Sequence, residues 1–191
     1  LGQPELLLQR AIAIADRFGW AEAARYRCTL TEVYVLQGNY RQAKELLKQC
    51  LAHQHGSVWM GSPRNLDGSH AAALLSRALG KWQDAASHTQ AELRERQQRQ
   101  SASDQDPGLA AAYQSLADLW ALQGQNDAEV EALRKAFQLS ERRLRNQGLA
   151  LSERRLVQLL ATLREQEERL YSHLLRRPDH KELRRLALAT L

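Results

Sequence analysis

The sequence has few of the residues from which chemistry is usually built. It holds two cysteines in 191 residues, too few for a disulfide framework, and Cys28 and Cys50 fall on apolar helix faces, which reads as two reduced thiols packed in a core. No stretch approaches the roughly eighteen apolar residues needed to span a membrane. A glycine-rich phosphate loop, a paired CxxC, an HExxH helix motif and a Gly-x-Ser-x-Gly elbow are all missing. The close histidine pair, His53 and His55, is two residues apart and so does not share a helix face; helix C-termini favour histidine in any case. These absences leave no catalytic residue, no cofactor and no metal site to expect, and the chain reads as something other than an enzyme.

What is present is a repeated punctuation mark. Gly38-Asn39-Tyr40, Gly80-Lys81-Trp82 and Gly124-Gln125-Asn126 are separated by 42 and 44 residues, the spacing of a helical repeat array. Before each glycine lies an apolar and small-residue run at helical spacing, such as Leu30, Thr31 and Tyr34, or Leu116, Ala117 and Trp120. After it come a bulky residue, a small one and then leucines, as in Tyr40, Ala43, Leu46, Leu47 and Leu51. Spacings of three and four place these on one face. The glycine releases the chain between two antiparallel helices, because it enters the left-handed conformation without a Cβ penalty. Each copy is therefore expected to be a helical hairpin, and the fold to be all-α.

The pattern resembles the tetratricopeptide repeat in its longer, about 42-residue variant. The residues that carry the likeness are Leu30, Tyr34, Gly38, Tyr40, Ala43 and Leu47 in the first copy and Tyr113, Leu116, Ala117, Trp120, Gly124 and Leu133 in the third. The middle copy keeps Ala73, Gly80, Trp82 and Ala85, with Ser76 where the family prefers bulk; copy three has Asn126 for the aromatic and Ala128 displaced by one. The resemblance implies a right-handed superhelical array of antiparallel hairpins, an α-solenoid, over residues 1–148. A truncated copy comes first, its second helix running from Pro4 to about Phe18. The chain opens Leu1-Gly2-Gln3-Pro4, without a signal-peptide pattern and inside a repeat, which reads as an excised piece of a longer cytoplasmic protein.

Beyond the array the pattern changes. Residues 140–191 hold 12 Lys and Arg against 7 Asp and Glu, which accounts for the whole net charge of +5. Arginine pairs at Arg142-Arg143, Arg154-Arg155, Arg176-Arg177 and Arg184-Arg185 raise nucleic-acid or anionic-lipid binding. Interspersed glutamates and a single aromatic, Tyr171, favour a solvated helix face instead. A turn glycine is due near residue 166, yet the chain reads Leu163-Arg164-Glu165-Gln166-Glu167-Glu168. A long helix is therefore expected over 149–177. Its heptad leucines Leu149, Leu156, Leu163 and Leu170 could form a coil between two protomers or cap the last repeat. Pro178 breaks that helix, and Asp179 with Glu182 suggests a capping box for a short helix over 178–191 that leads to a further domain.

Two sites follow. The resemblance places ligand contacts on the first helix of each hairpin, here Arg25, Glu32, Asp67, His70, Arg77, Gln114 and Asp118. Their mixed charge argues against a clamp for acidic peptides and for a helix or extended peptide of mixed polarity; they could equally be solvent-facing. Trp59 and Met60, in the long connection 56–68, either pin that loop to the array or reach into a partner. The architecture looks like the sensory half of a bacterial signalling protein such as a diguanylate cyclase. That implies a noncatalytic regulatory module with a protein or peptide partner, a possible homodimer through 149–177 and no membrane contact. A self-contained adaptor and nucleic-acid binding by the tail are the alternatives.

Overall fold

The computed structural model describes residues 2–20, 22–54, 66–99, 107–147 and 152–189. Among these residues are nine α-helices and no strand: α1 Gln3–Arg17, α2 Glu22–Leu36, α3 Tyr40–Gln54, α4 Leu66–Ala78, α5 Trp82–Arg99, α6 Pro107–Leu122, α7 Asn126–Gln147, α8 Glu153–Arg176 and α9 Lys181–Ala189. They gather into two compact units, Leu1–Glu95 and Arg96–Leu191, divided within α5. No helix among the described residues is long and apolar enough to cross a membrane.

The glycine turns share one geometry. At Gly38 the chain is left-handed, with φ 76°. The Asn39 amide donates to the Tyr34 carbonyl at 2.8 Å and the Gly38 amide to the Val35 carbonyl at 3.1 Å, satisfying carbonyls that the helix end would otherwise orphan. The same pair of bonds recurs at Gly80 (Lys81 to Ser76, Gly80 to Arg77) and Gly124 (Gln125 to Trp120, Gly124 to Ala121). A fourth copy, unnoticed in the sequence, ends α1 at Gly19, where φ is 65° and the Trp20 amide donates to the Ala15 carbonyl. It lies 19 residues before Gly38, so it closes the truncated leading copy rather than starting a new period.

In the first unit, α2 pairs with α3 across the Gly38 turn and also packs against α1 and α4. Its core joins Leu30, Tyr34 and Ala43, on which the repeat was recognised, to Val35 and Leu75, with Leu46 and Leu47 against them. Ala43 has no exposed surface, which is why the second helix needs a small residue there. A second cluster joins Cys28 and Cys50 to Ala71 of α4. The cysteines are not separate thiols, as the sequence reading expected, but a disulfide between α2 and α3, with Cα atoms 5.8 Å apart. The two positions are equidistant from Asn39 at the centre of the turn, so antiparallel pairing sets them face to face.

In the second unit α6 and α7 form the third hairpin around buried Leu116, Ala117, Leu119, Val130, Leu133 and Ala136. The chain runs through the expected turn near 166 without interruption, and α8 continues to Arg176, about 36 Å at 1.5 Å per residue. It turns only at 177–180, where α9 folds back against it and buries Leu183, Leu186 and Ala187. The α9 cap sits one residue later than the capping box suggested. The Leu183 amide donates to Nδ1 of His180 at 3.4 Å, while exposed Asp179 accepts from Arg184 at 3.3 Å.

Candidate functional site

The three hairpins treat one pair of positions in three ways. Ten residues before and twelve after the turn glycine stand Cys28 and Cys50 in the first copy, bonded covalently. In the second, His70 Nδ1 lies 3.1 Å from a carboxylate oxygen of buried Glu92, an ion pair when the imidazole is protonated. In the third the residues are Gln114 and Ala136, both buried, and the alanine methyl offers the amide nothing to bond. One residue earlier on each helix, Lys135 lies over the Tyr113 ring, 5.7 Å from its centroid. The pairing was legible in principle, because positions equidistant from an antiparallel turn must meet.

The groove positions fare differently in the two units. Arg25 is exposed and Glu32 half-buried on α2, seven residues apart and so on one face; His70 and Arg77 stand in the same relation on α4, which packs beside α2. The Asp67 side chain, Trp59 and Met60 lie outside the described residues. In the second unit, Gln114 is 7% exposed and Asp118 is engaged by α8. The cause is tertiary: the uninterrupted α8 packs against the side of the third hairpin that carries Asp118.

A cluster of charges that the sequence did not bring together fastens α8 there. His173 is buried, with Nε2 3.2 Å from an Asp118 oxygen and Nδ1 2.7 Å from one of Glu129. Arg177 reaches the other Glu129 oxygen at 2.7 Å and also donates to Asn126, and Arg169 reaches Asp118 at 3.4 Å. Glu129 has no exposed surface, so its charge depends on these cations. The Asp118 hydrogen bond, then that of Glu129, raise the His173 pKa from 6.5 to about 9 against the opposing effect of burial. The imidazole therefore carries its charge at neutral pH, with Nε2 in hydrogen-bond reach of Asp118 and Nδ1 in ion-pair contact with Glu129.

Between α6, α7 and α8 lies a cleft of about 300 Å³. Gln114 of α6, Ser140 of α7 and Gln166 of α8 line it, at 7%, 5% and 2% exposure. The Oε1 atom of Gln166 is buried and accepts no hydrogen bond.

The heptad leucines divide as well. Leu170 is fully buried within the second unit, Leu156 and Leu163 are half-buried, and Leu149 lies outside the described residues. On α8, Val157 and Leu160 are exposed at 60% and 47%, and Leu175 near its end at 81%. Several tail arginines are matched by carboxylates one helical turn away: Arg164 with Glu168, Arg169 with Glu165 and Arg185 with Glu182.

No family model matches the chain, and no curated protein does. Solved structures do. BtubC (BKLC) from P. vanneervenii superposes with a TM-score of 0.67 at 13% identity, over 98% of this chain and 72% of that one. A Podosopora anserina protein described as a kinesin light chain with nearly identical TPR-like repeats superposes at 0.55, with 21% identity over 97% of this chain and 84% of its own. A point variant of it gives 0.54. At these identities the likeness speaks for the fold alone: a tetratricopeptide-like helical repeat. With 98% of the chain covered, the likeness takes in α8 and α9 as well as the three hairpins.

Proposed function

We propose that this chain is a noncatalytic protein-interaction module and the regulatory part of a larger bacterial signalling protein, such as a diguanylate cyclase. The observation that carries the interaction reading is the α2 and α4 surface of the first unit. Arg25, Glu32, His70 and Arg77 stand on neighbouring first helices of a repeat fold, so that this face carries both charge signs. Such a face suits a peptide of mixed polarity, held by side-chain contacts to an already formed groove. The equivalent third position is already filled by α8, so the first unit is where a guest is taken.

Peptide selection from a display library against residues 1–191, followed by resonance mapping on ¹⁵N-labelled protein, tests this. Enriched peptides of mixed charge that shift α2 and α4 resonances support it. No enrichment, or shifts confined to other helices, would contradict it.

A second reading concerns assembly. Val157 and Leu160, three residues apart and exposed, give α8 an apolar edge beside the half-buried Leu156 and Leu163. Dimerisation through α8 would use that edge rather than the full heptad line, since Leu170 is already covered.

A further inference from the structure

We propose that the cleft between α6, α7 and α8 is a binding site for a small, uncharged molecule carrying amide or hydroxyl groups. The site lies in the second unit and stands independently of the peptide surface assigned to the first.

Three buried polar side chains from three helices meet in one opening: Gln114, Ser140 and Gln166. Burying an amide or hydroxyl is unfavourable unless it is hydrogen-bonded, and the Gln166 carbonyl oxygen is buried without a donor. A leucine or methionine at these positions would fill the space at no such cost, so the polar lining calls for an occupant that completes it. The first two hairpins show what the fold does where no occupant is needed. Their equivalent position is closed, by the Cys28–Cys50 bond in one and by the His70–Glu92 pair in the other. In the third copy Ala136 replaces the closing partner, and Gln114 faces the cleft.

The lining also sets the ligand's charge and size. Arg169 at the rim is held by Glu165 at 2.6 Å and Asp118 at 3.4 Å, and Arg143 is likewise engaged within the chain. The Arg169 charge is thus already matched by two carboxylates, which disfavours an anion beside it. Ala110, Leu139 and Leu159 supply an apolar wall against which a compact body can rest. A volume of about 300 Å³ is at the lower end of ligand sites and accommodates roughly ten water-sized groups. The occupant thus presents a donor or acceptor to Gln114 and Ser140, and an N–H or O–H to the Gln166 amide once that fully buried oxygen turns toward the cleft, on a body of about ten non-hydrogen atoms.

The test is a resonance titration of ¹⁵N-labelled protein, residues 1–191, with N-acetylglutaminamide, nicotinamide and glucose as neutral probes and inorganic phosphate as the charged one. Saturable shifts of the Gln114 and Gln166 side-chain amides by a neutral probe at about 10 mM or below are expected. Gln166→Leu and Ser140→Ala should each weaken that binding at least about tenfold while the helical signal and melting temperature are retained. Should Gln166→Leu fail to fold, Ser140→Ala carries the comparison. The proposal is overturned if no neutral probe gives a saturable shift, if the shifts survive both substitutions, or if phosphate binds there more tightly than the neutral probes.

Discussion

Raising the pH should loosen α8 from the third hairpin, and His173 sets where that happens. Its folded pKa of about 9 lies above its ordinary 6.5, so protonation favours the folded state. The stabilisation is complete below about pH 6.5, declines above it, and is gone once the pH has risen through about 9. A displacement of that size corresponds to about 3 kcal/mol. The geometry supports the sign. Two carboxylates face the two ring nitrogens, and deprotonation leaves one nitrogen presenting a lone pair to a carboxylate oxygen, Glu129 at 2.7 Å or Asp118 at 3.2 Å. The assay is urea unfolding of the wild type and His173→Gln at pH 6, 8 and 10, with helicity as the signal. Wild type should exceed the variant by about 3 kcal/mol at pH 6, and the gap should close by pH 10. A gap that does not change with pH, or a His173 ring that titrates near 6.5, would refute the reasoning.

Other outcomes follow from the same structure. Intact mass without reductant should be two hydrogens lower than with it, and reduction or Cys28→Ala should lower stability by about 3 kcal/mol for a loop of this length; unchanged unfolding with and without reductant would count against the cross-link. Gly38→Ala should cost roughly 1–2 kcal/mol through its left-handed φ alone, since nothing lies within 4 Å of an added Cβ; a neutral result would mean that the turn relaxes. If α8 dimerises, Val157→Glu with Leu160→Glu should turn a dimeric light-scattering mass into a monomeric one, whereas a wild type monomeric at high concentration removes that reading.

Local signals carried well from sequence to structure, and tertiary ones did not. Gly38, Gly80 and Gly124 could be read because a left-handed turn is a property of a few consecutive residues. Leu30, Tyr34 and Ala43 could be read because helical spacing defines a face. The Cys28–Cys50 bond was missed although its symmetry about Asn39 was available, because the scarcity of cysteine pointed to plain packing. The covering of Gln114 and Asp118 could not be read at all from their own helix. It depends on where α8 lies, and so on His173, Arg169 and Arg177, more than fifty residues away. The Gln166 site was hidden for the same reason, since a lone glutamine in a charged helix looks like a solvated one.

The measurement closest to the central claim is the affinity of a display-selected peptide for residues 1–191 and for the combined Arg25→Ala, Glu32→Ala and Arg77→Ala variant, by calorimetry. If the α2 and α4 surface is the peptide site, the variant binds at least about tenfold more weakly while remaining folded. Equal affinity for the two proteins would contradict the account.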